Sequence, residues 1–197
     1  MNRPGSPSNP SFQELYAEHF NFVWRTLRRL GVPEADLPDV AQEVFVVVHR
    51  RLPDFEPRAR MTTWLFPICL HAARDRRRRA HVRREVPREE YDLVDPAPLP
   101  GSDLERQQDL ALFEAALADM NLDQRAVFVL FELEDLRGED IAATLGIPLG
   151  TVYSRLRLAR GAFRNGVLTR TGAADGQPTA EAGAQAALSS GAQKEEP

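Results

Sequence analysis

The residues with the clearest chemistry are arginines in the last third of the ordered sequence. Apolar residues at helical spacing share one face of the predicted helix, and the arginines between them point mostly elsewhere: Arg155, Arg157, Arg160 and Arg164. No acidic residue occurs from position 141 to position 174, so nothing nearby in the sequence neutralises these charges. A helix with one apolar face and one arginine face is typical of a protein that binds a polyanion.

A second basic segment precedes an acidic one. Positions 74–84 hold seven arginines and one aspartate, whereas positions 85–105 hold seven acidic residues and one arginine. The formal net charge of −4 therefore hides a strong segregation of charge. A solvated helix end would also explain the basic run, because cations suit a helix C-terminus. Repulsion among so many like charges favours an anionic partner instead.

Other chemistries lack the residues that they need. The sequence shows no paired carboxylates, no nucleophile with a base and no Gly-rich phosphate loop, so we expect neither an enzyme nor a cofactor. Cys69 is the only cysteine, which excludes an internal disulfide and predicts a small buried side chain. The four histidines lack metal-ligand spacing, so no metal site is expected.

The sequence also lacks the features of a membrane or exported protein. No apolar run approaches the ~20 residues that span a bilayer, and the N-terminus has no signal-peptide core. We therefore expect a cytoplasmic protein without membrane insertion.

The first half of the chain predicts three helices. A Ser-x-x-Glu capping box at Ser11 opens the first, and the second starts near Asp36 or Leu37. The run VFVVVH at positions 44–49 is also compatible with a strand, but its flanks favour a helix with more apolar surface than one core needs. Thr62 and Thr63 are candidate caps for the third helix, with Pro67 in or just after its first turn.

The second half predicts a helix-turn-helix. Ser102 with Glu105 and Asn121 with Gln124 have the spacing of capping boxes. Gly146 can adopt the left-handed conformation that ends a helix, and Pro148 precedes the next helix. The sequence thus predicts an all-α fold with two small helical domains joined by an acidic, Pro-rich linker, the second domain containing the helix-turn-helix. The predicted segments are a disordered arm 1–10, a first domain 11–84, a linker 85–101, a second domain 102–170 and a disordered tail 171–197.

Three stretches in this order resemble the extracytoplasmic-function, or group 4, sigma factors of the sigma-70 family. Positions 39–45 resemble the family's D-x-x-Q-E-x-F segment, and positions 64–79 resemble its W-L-x-x-I segment. Positions 125–160 resemble its R-x-V-F segment and the L-G-I-P-x-G-T-V-x-S-R-L helix that follows. A helix-turn-helix alone is shared by many regulators, whereas three ordered motifs are specific.

The resemblance implies a transcription initiation factor that binds core RNA polymerase and promoter DNA, both double-stranded and melted, with an anti-sigma factor as a further partner. The residues implied for polymerase binding are Asp39, Gln42, Glu43 and Phe45. Those for the melted minus ten element are Phe55, Trp64, His71, Arg74, Arg77 and Arg78. Unstacked bases need aromatic surfaces and the backbone needs cations, which these residues supply, although Trp64 is equally compatible with a core position.

The helix-turn-helix is then expected to read the minus thirty-five element in the major groove. Residues near the start of a recognition helix reach base edges, and later arginines contact phosphates. One or two of the four arginines are expected to contact only solvent. The candidates for base edges are Thr151, Tyr153, Ser154 and Arg157, and those for phosphates are Arg155, Arg160 and Arg164.

Departures from the family pattern affect the promoter sequence rather than the type of target. The family usually has asparagine at position 71, a basic residue at 70, lysine or arginine at 153 and arginine at 158, where this chain has His71, Leu70, Tyr153 and Leu158.

Two alternatives to a sigma factor remain open. One is a stand-alone helix-turn-helix regulator, which leaves the first-half motifs unexplained. The other is a sigma-like mimic that binds an anti-sigma factor without initiating transcription.

Overall fold

The computed structural model describes residues 10–55, 60–84 and 103–172, and the regular elements among them are helical. The predictions for residues 1–9, 85–102 and 173–197, including the capping role of Ser102, lie outside the described residues. The α-helices are α1 (Phe12–Arg29), α2 (Leu37–Arg51), α3 (Met61–Arg84), α4 (Asp103–Ala118), α5 (Leu122–Phe128), α6 (Gly138–Leu145) and α7 (Leu149–Thr171). A π-helical turn, Val129–Leu133, continues α5. None of the described helices is long and apolar enough to cross a lipid bilayer.

Two of the predicted capping boxes form. The backbone N–H of Glu14 donates to Ser11 Oγ at 3.3 Å, and the N–H of Ser11 donates to Glu14 Oε2 at 2.9 Å. The Ser11 hydroxyl also donates to Glu14 Oε2 at 2.8 Å, and this bond, followed by the one from the Ser11 backbone N–H, lowers the pKa of Glu14. At α5, Asn121 and Gln124 make the equivalent pair at 2.9 and 3.2 Å. Both helix starts are therefore fixed by side chains three residues apart.

The start of α3 differs from the prediction. The helix begins at Met61, so Thr62 and Thr63 are its second and third residues rather than its caps, and Pro67 lies inside the helix. Threonine is only a candidate cap, because the backbone around it decides where the helix begins.

The first half is a three-helix unit. Leu15, Val23 and Leu27 of α1 pack with Val44 of α2 and Leu65 of α3, and all five are buried. Cys69 is buried in the same cluster, as predicted for an apolar thiol.

The second half positions the helix-turn-helix on α4 and α5. Phe163 of α7 lies 5.5 Å from Phe113 and 5.1 Å from Phe128, measured between ring centroids. Between α6 and α7, Gly146 has φ 63°, ψ 38°, the predicted left-handed conformation. Val152 and Leu156, on the buried side of α7, complete the core of this half.

The two halves pack against each other. One apolar cluster continues from the first half to Val127 and Leu130 of α5 and Ile141 of α6. Ion pairs border it: Arg28 Nε lies 2.6 Å from Glu114 Oε1, and Arg29 Nη1 lies 3.0 Å from Glu134 Oε1. The predicted helical halves are thus both present, with a shared core that the sequence pattern did not reveal.

Candidate interaction surfaces

An aromatic groove lies between α1 and α2. It has a volume of about 810 Å³, and its lining includes Gln42, Val46 and His49 of α2. Four aromatic side chains of α1, spaced four residues apart, line it from the other side: Phe12, Tyr16, Phe20 and Trp24. Tyr16 is 43% exposed and Val46 45% exposed, so this face has apolar surface available to a partner.

The residues expected to bind polymerase lie at this groove or beside it. Asp39, Gln42 and Glu43 are exposed on α2, whereas Phe45 is only 4% exposed. The ring of Phe45 lies beneath those of Tyr16 and Phe20, at 4.6 and 6.1 Å. Phe45 therefore forms the floor of the groove and holds the α1 rings in place. The surplus apolar surface predicted over positions 44–48 reduces to the exposed Val46 and the partly exposed Val47, because Val44 and Val48 are fully buried.

Glu43 has a partner within the protein. Its carboxylate accepts two hydrogen bonds from the Arg79 guanidinium, at 2.9 and 2.7 Å. These bonds lower the pKa of Glu43 and raise that of Arg79. The pair connects α2 to the basic segment of α3, so any partner of α2 in this region meets an oriented ion pair.

The residues expected to hold melted DNA divide between two sides of α3. Trp64 and His71 line a cleft of about 750 Å³ that also includes Ala143 and Thr144 of α6. Phe55 is 7% exposed and lies edge-on to Trp64 at 5.2 Å, so it supports the tryptophan from below. His71 Nε2 lies 3.3 Å from Asp75 Oδ2.

Arg74, Arg77 and Arg78 line a different cleft, beside α4 and α5. Arg74 Nη2 lies 2.7 Å from Asp123 Oδ1 of α5, and Arg78 Nη2 lies 3.1 Å from Asp75 Oδ1. The structure brings Phe55, Trp64 and His71 together and directs Arg74 and Arg77 elsewhere. In this arrangement one bound strand would have to pass over α3 to contact both sets.

The start of α7 presents the expected base-reading residues. Tyr153, Ser154 and Arg157 are exposed and Thr151 is partly exposed. Leu158, one of the departures from the family pattern, is 48% exposed beside them. The Ser154 hydroxyl donates to the Thr151 carbonyl at 3.0 Å, which orients it along the helix. This surface combines an aromatic ring, a guanidinium and an apolar side chain, a mixture suited to base edges.

Two of the expected phosphate arginines are already paired, although no acid is near them in sequence. Arg155 Nη2 lies 2.8 Å from Asp123 Oδ2, and Arg160 Nε lies 2.6 Å from Glu132 Oε1. The Arg160 guanidinium also lies 5.1 Å from the centre of the Phe131 ring. Arg164 is exposed and has no ion pair among the described residues. The acids come from α5 and the turn after it, which pack against α7.

Sequence reasoning missed several of these contributors. The α1 aromatics carry a visible signal, a four-residue spacing, but this spacing equally predicts a core stripe. Asp123 and Glu132 carry no local signal, because each is about thirty residues from its arginine in sequence. Among residues 10–55, 60–84 and 103–172, no group of three or more His, Cys, Asp or Glu could hold a metal ion.

Family models match both halves of the chain. The model described as Sigma-70 region 2 matches residues 15–83, and the model described as Sigma-70, region 4 matches residues 110–163. The first covers α1 to α3 and the basic run, and the second covers the helix-turn-helix with the helices that support it.

Individual relatives agree with these matches. The chain is 36% identical over 159 residues to the ECF RNA polymerase sigma factor SigE of Mycolicibacterium smegmatis, covering 79% of this chain and 61% of that protein. It is 34% identical over 144 residues to the ECF RNA polymerase sigma factor SigC of Mycobacterium tuberculosis, covering 72% of this chain and 75% of that protein.

A solved structure shares the fold. CnrH, in complex with the cytosolic domain of CnrY, superposes with a TM-score of 0.56 and is 26% identical to this chain. The match covers 81% of this chain and 88% of CnrH.

Proposed function

Because this chain belongs to the extracytoplasmic-function sigma factors of the sigma-70 family, we propose that it binds core RNA polymerase and directs it to specific promoters. The observation that carries this proposal is the presence, in one chain and in family order, of a region 2 with an exposed aromatic groove and a region 4 with an arginine-bearing helix. Such a protein is an initiation factor rather than an enzyme, and it acts in the cytoplasm with the polymerase.

The α1–α2 groove is the proposed polymerase surface. Gln42 and Val46 on its rim, with the α1 aromatics beside them, offer an apolar centre and a polar edge, the usual composition of a protein interface. Asp39 and Glu43 lie exposed on the same helix and suit a basic surface on the partner.

Region 2 is also the proposed site of promoter opening. A base leaving the duplex can stack on Trp64 while His71 offers hydrogen bonds beside it. Arg77 and Arg78, exposed on α3, would neutralise backbone phosphates.

Region 4 is proposed to read duplex DNA with the start of α7. Tyr153, Ser154 and Arg157 would face base edges, and Arg160 and Arg164 would face phosphates. The glutamate partner of Arg160 would have to release it, or share it, when DNA binds.

Protein partners of related chains suggest how this activity is controlled. The CnrH structure holds the cytosolic domain of CnrY, so this fold accepts a second protein. We extend this to an anti-sigma factor for the present chain, competing with polymerase for the exposed faces.

The direct test adds the purified chain to core RNA polymerase and a fragmented genomic library, then maps transcript starts by sequencing. The expected result is a set of starts that is absent with core polymerase alone and that shares two sequence elements upstream. Val46→Glu, an exposed change at the groove, should abolish these starts without unfolding the protein. No new starts, with the chain folded, would overturn the proposal and leave the stand-alone regulator and the sigma-like mimic that binds an anti-sigma factor as the alternatives.

A further inference from the structure

A cleft with many arginines lies where the two halves meet. Its volume is about 780 Å³, and it is bounded by the turn Gly31–Pro33, one side of α3, the end of α4 and the start of α5. Its charged lining residues are Arg74, Arg76, Arg77, Arg78 and Arg125. Among the described residues that line the cleft, none is an aspartate or a glutamate. The cleft is separate from the faces proposed above for polymerase and for the minus thirty-five element, and it shares Arg74, Arg77 and Arg78 with the residues expected at the minus ten element.

Three of these arginines have carboxylate partners outside the cleft. Arg74 pairs with Asp123, Arg76 with Asp36 and Arg78 with Asp75. Asp123 is shared with Arg155, so it neutralises its partners only in part. Arg77 and Arg125 have no ion pair in the described part of the chain. The cleft therefore carries a net positive charge that these carboxylates, and Asp119 near Arg125, balance only in part.

Arg125 is the least satisfied of the five. Within the described parts of the chain, its buried Nε has no hydrogen-bond acceptor, and its Nη2 donates to the Met120 carbonyl at 3.4 Å. Burial, and then the charge of Arg77, lower the pKa of Arg125. Leaving a buried donor unpaired beside a like charge is costly, and an anion bound at the other guanidinium N–H groups would offset the repulsion between the two arginines.

The turn opposite Arg125 is shaped around its guanidinium. Gly31 has φ 85°, which favours glycine, and a Cβ at this position would collide with Arg125 Nη1. The Arg125 guanidinium lies so close to the backbone of Gly31 that no side chain fits between them. Arg125 is thus held in place from the first half of the protein although it belongs to the second.

We propose that this cleft binds a small oligophosphate anion, held between Arg77 and Arg125. Guanidinium groups match phosphate oxygens bidentately, and two of them without carboxylate partners can contact neighbouring phosphates. A free anion fits the recessed position of Arg125 better than a duplex backbone does, because exposed arginines such as Arg164 contact a duplex backbone more easily. Since both halves form the walls, bound phosphate would stabilise their packed arrangement.

The test is calorimetric titration of the full chain with pyrophosphate in a phosphate-free buffer. Wild-type protein should bind one pyrophosphate, and binding should raise its melting temperature. Arg125→Gln and Arg77→Gln should each weaken binding about tenfold or more, as expected for lost charge-assisted hydrogen bonds. Arg137→Gln is the matched control, because Arg137 is exposed, carries the same charge and does not line the cleft.

Two results would overturn the proposal. One is equal pyrophosphate affinity in wild type, Arg125→Gln and Arg77→Gln. Arg77 is exposed, so Arg77→Gln should fold and allow this comparison even if Arg125→Gln does not fold. The other is an effect on DNA binding alone. If both variants bound an oligonucleotide of unrelated sequence more weakly and bound pyrophosphate as wild type does, the cleft would be a contact for the nucleic-acid backbone.

Discussion

Cys69 shows how completely packing can determine the chemistry of one residue. It is fully buried in α3, and burial raises the pKa of its thiol to about 12. The thiolate is the reactive form, so the native protein should not react with Ellman's reagent at pH 8 over minutes. Unfolding in urea should expose one thiol per chain, since the sequence has one cysteine. Immediate reaction in native buffer would show that α3 opens locally.

Arg160 allows phosphate contact to be separated from base reading. We expect Arg160→Ala to weaken binding to all promoters alike and to reduce the slope of log K against log salt by about one. Arg157→Ala should instead reduce the free energy of binding by about 1–3 kcal/mol at preferred DNA sequences and change it little at other sequences. Fluorescence anisotropy with two different promoters across several salt concentrations measures both effects. A change of sequence preference in Arg160→Ala would reverse the two assignments.

At the scale of elements, the turn between α6 and α7 depends on one backbone conformation. Gly146 has φ 63°, and a Cβ there would have no atom within 4 Å, so Gly146→Ala meets conformational strain without a clash. We expect a loss of about 1 kcal/mol in the free energy of unfolding.

Gly161→Ala is the control for this change, because Gly161 lies inside α7 and a Cβ there also has no atom within 4 Å. Alanine in a helix interior should stabilise by about 0.5–1 kcal/mol. Urea denaturation of the two variants should therefore give shifts of opposite sign. Shifts of the same sign would mean that the turn does not require the left-handed conformation.

Elements with local signals were predictable from the sequence, and features made by distant residues were not. The caps at Ser11 and Asn121 and the break at Gly146 depend on residues within three or four positions, and all three form as expected. The start of α3 was misplaced because a threonine can cap a helix or continue it.

Parts of the candidate surfaces could not be predicted because they depend on contacts between residues that are distant in sequence. Phe45 was expected at an interface on its motif alone, yet its burial depends on aromatic residues of α1. The arginines of α7 looked unneutralised because their acids, Asp123 and Glu132, lie on a neighbouring element. Sequence periodicity gives the faces of one helix, whereas these contacts require knowing which helices meet.

At the scale of the whole molecule, the ion pair between Arg29 and Glu134 contributes little to the association of the two halves. Burial raises the pKa of Glu134 even though Arg29 lies 3.0 Å from it, so desolvation outweighs the attraction. A carboxyl group with a raised pKa contributes most to stability below its ordinary pKa and loses that contribution as the pH rises through the raised value. The apolar cluster, rather than this pair, therefore holds the halves together near neutral pH.

Asp123 links the two DNA-binding regions through charge. Its Oδ1 lies 2.7 Å from Arg74 Nη2 of α3, and its Oδ2 lies 2.8 Å from Arg155 Nη2 of α7. The Asp123 carboxylate thus pairs with two arginines at once: Arg74, expected at the minus ten element, and Arg155, expected at the minus thirty-five element. While the halves are packed in this way, neither guanidinium is fully available to a phosphate.

Asp123→Asn should release both arginines with little change in shape. We expect the variant to bind a duplex of unrelated sequence a few times more tightly than wild type, with a salt slope steeper by up to about one, because more phosphates are neutralised. The loss of an acid from the first turn of α5 should lower stability by about 0.3–1 kcal/mol, which a melting curve can check.

Asp119→Asn makes the same change of charge and is the control, because the ion pair of Asp119 among the described residues is with Arg170 at the end of α7. Anisotropy at several salt concentrations should show a larger gain for Asp123→Asn than for Asp119→Asn. Equal gains would mean that net charge alone sets the affinity. A larger gain for Asp123→Asn would mean that the packing of the two halves withholds DNA-binding residues, so that any partner separating the halves, polymerase included, also frees them to bind promoter DNA.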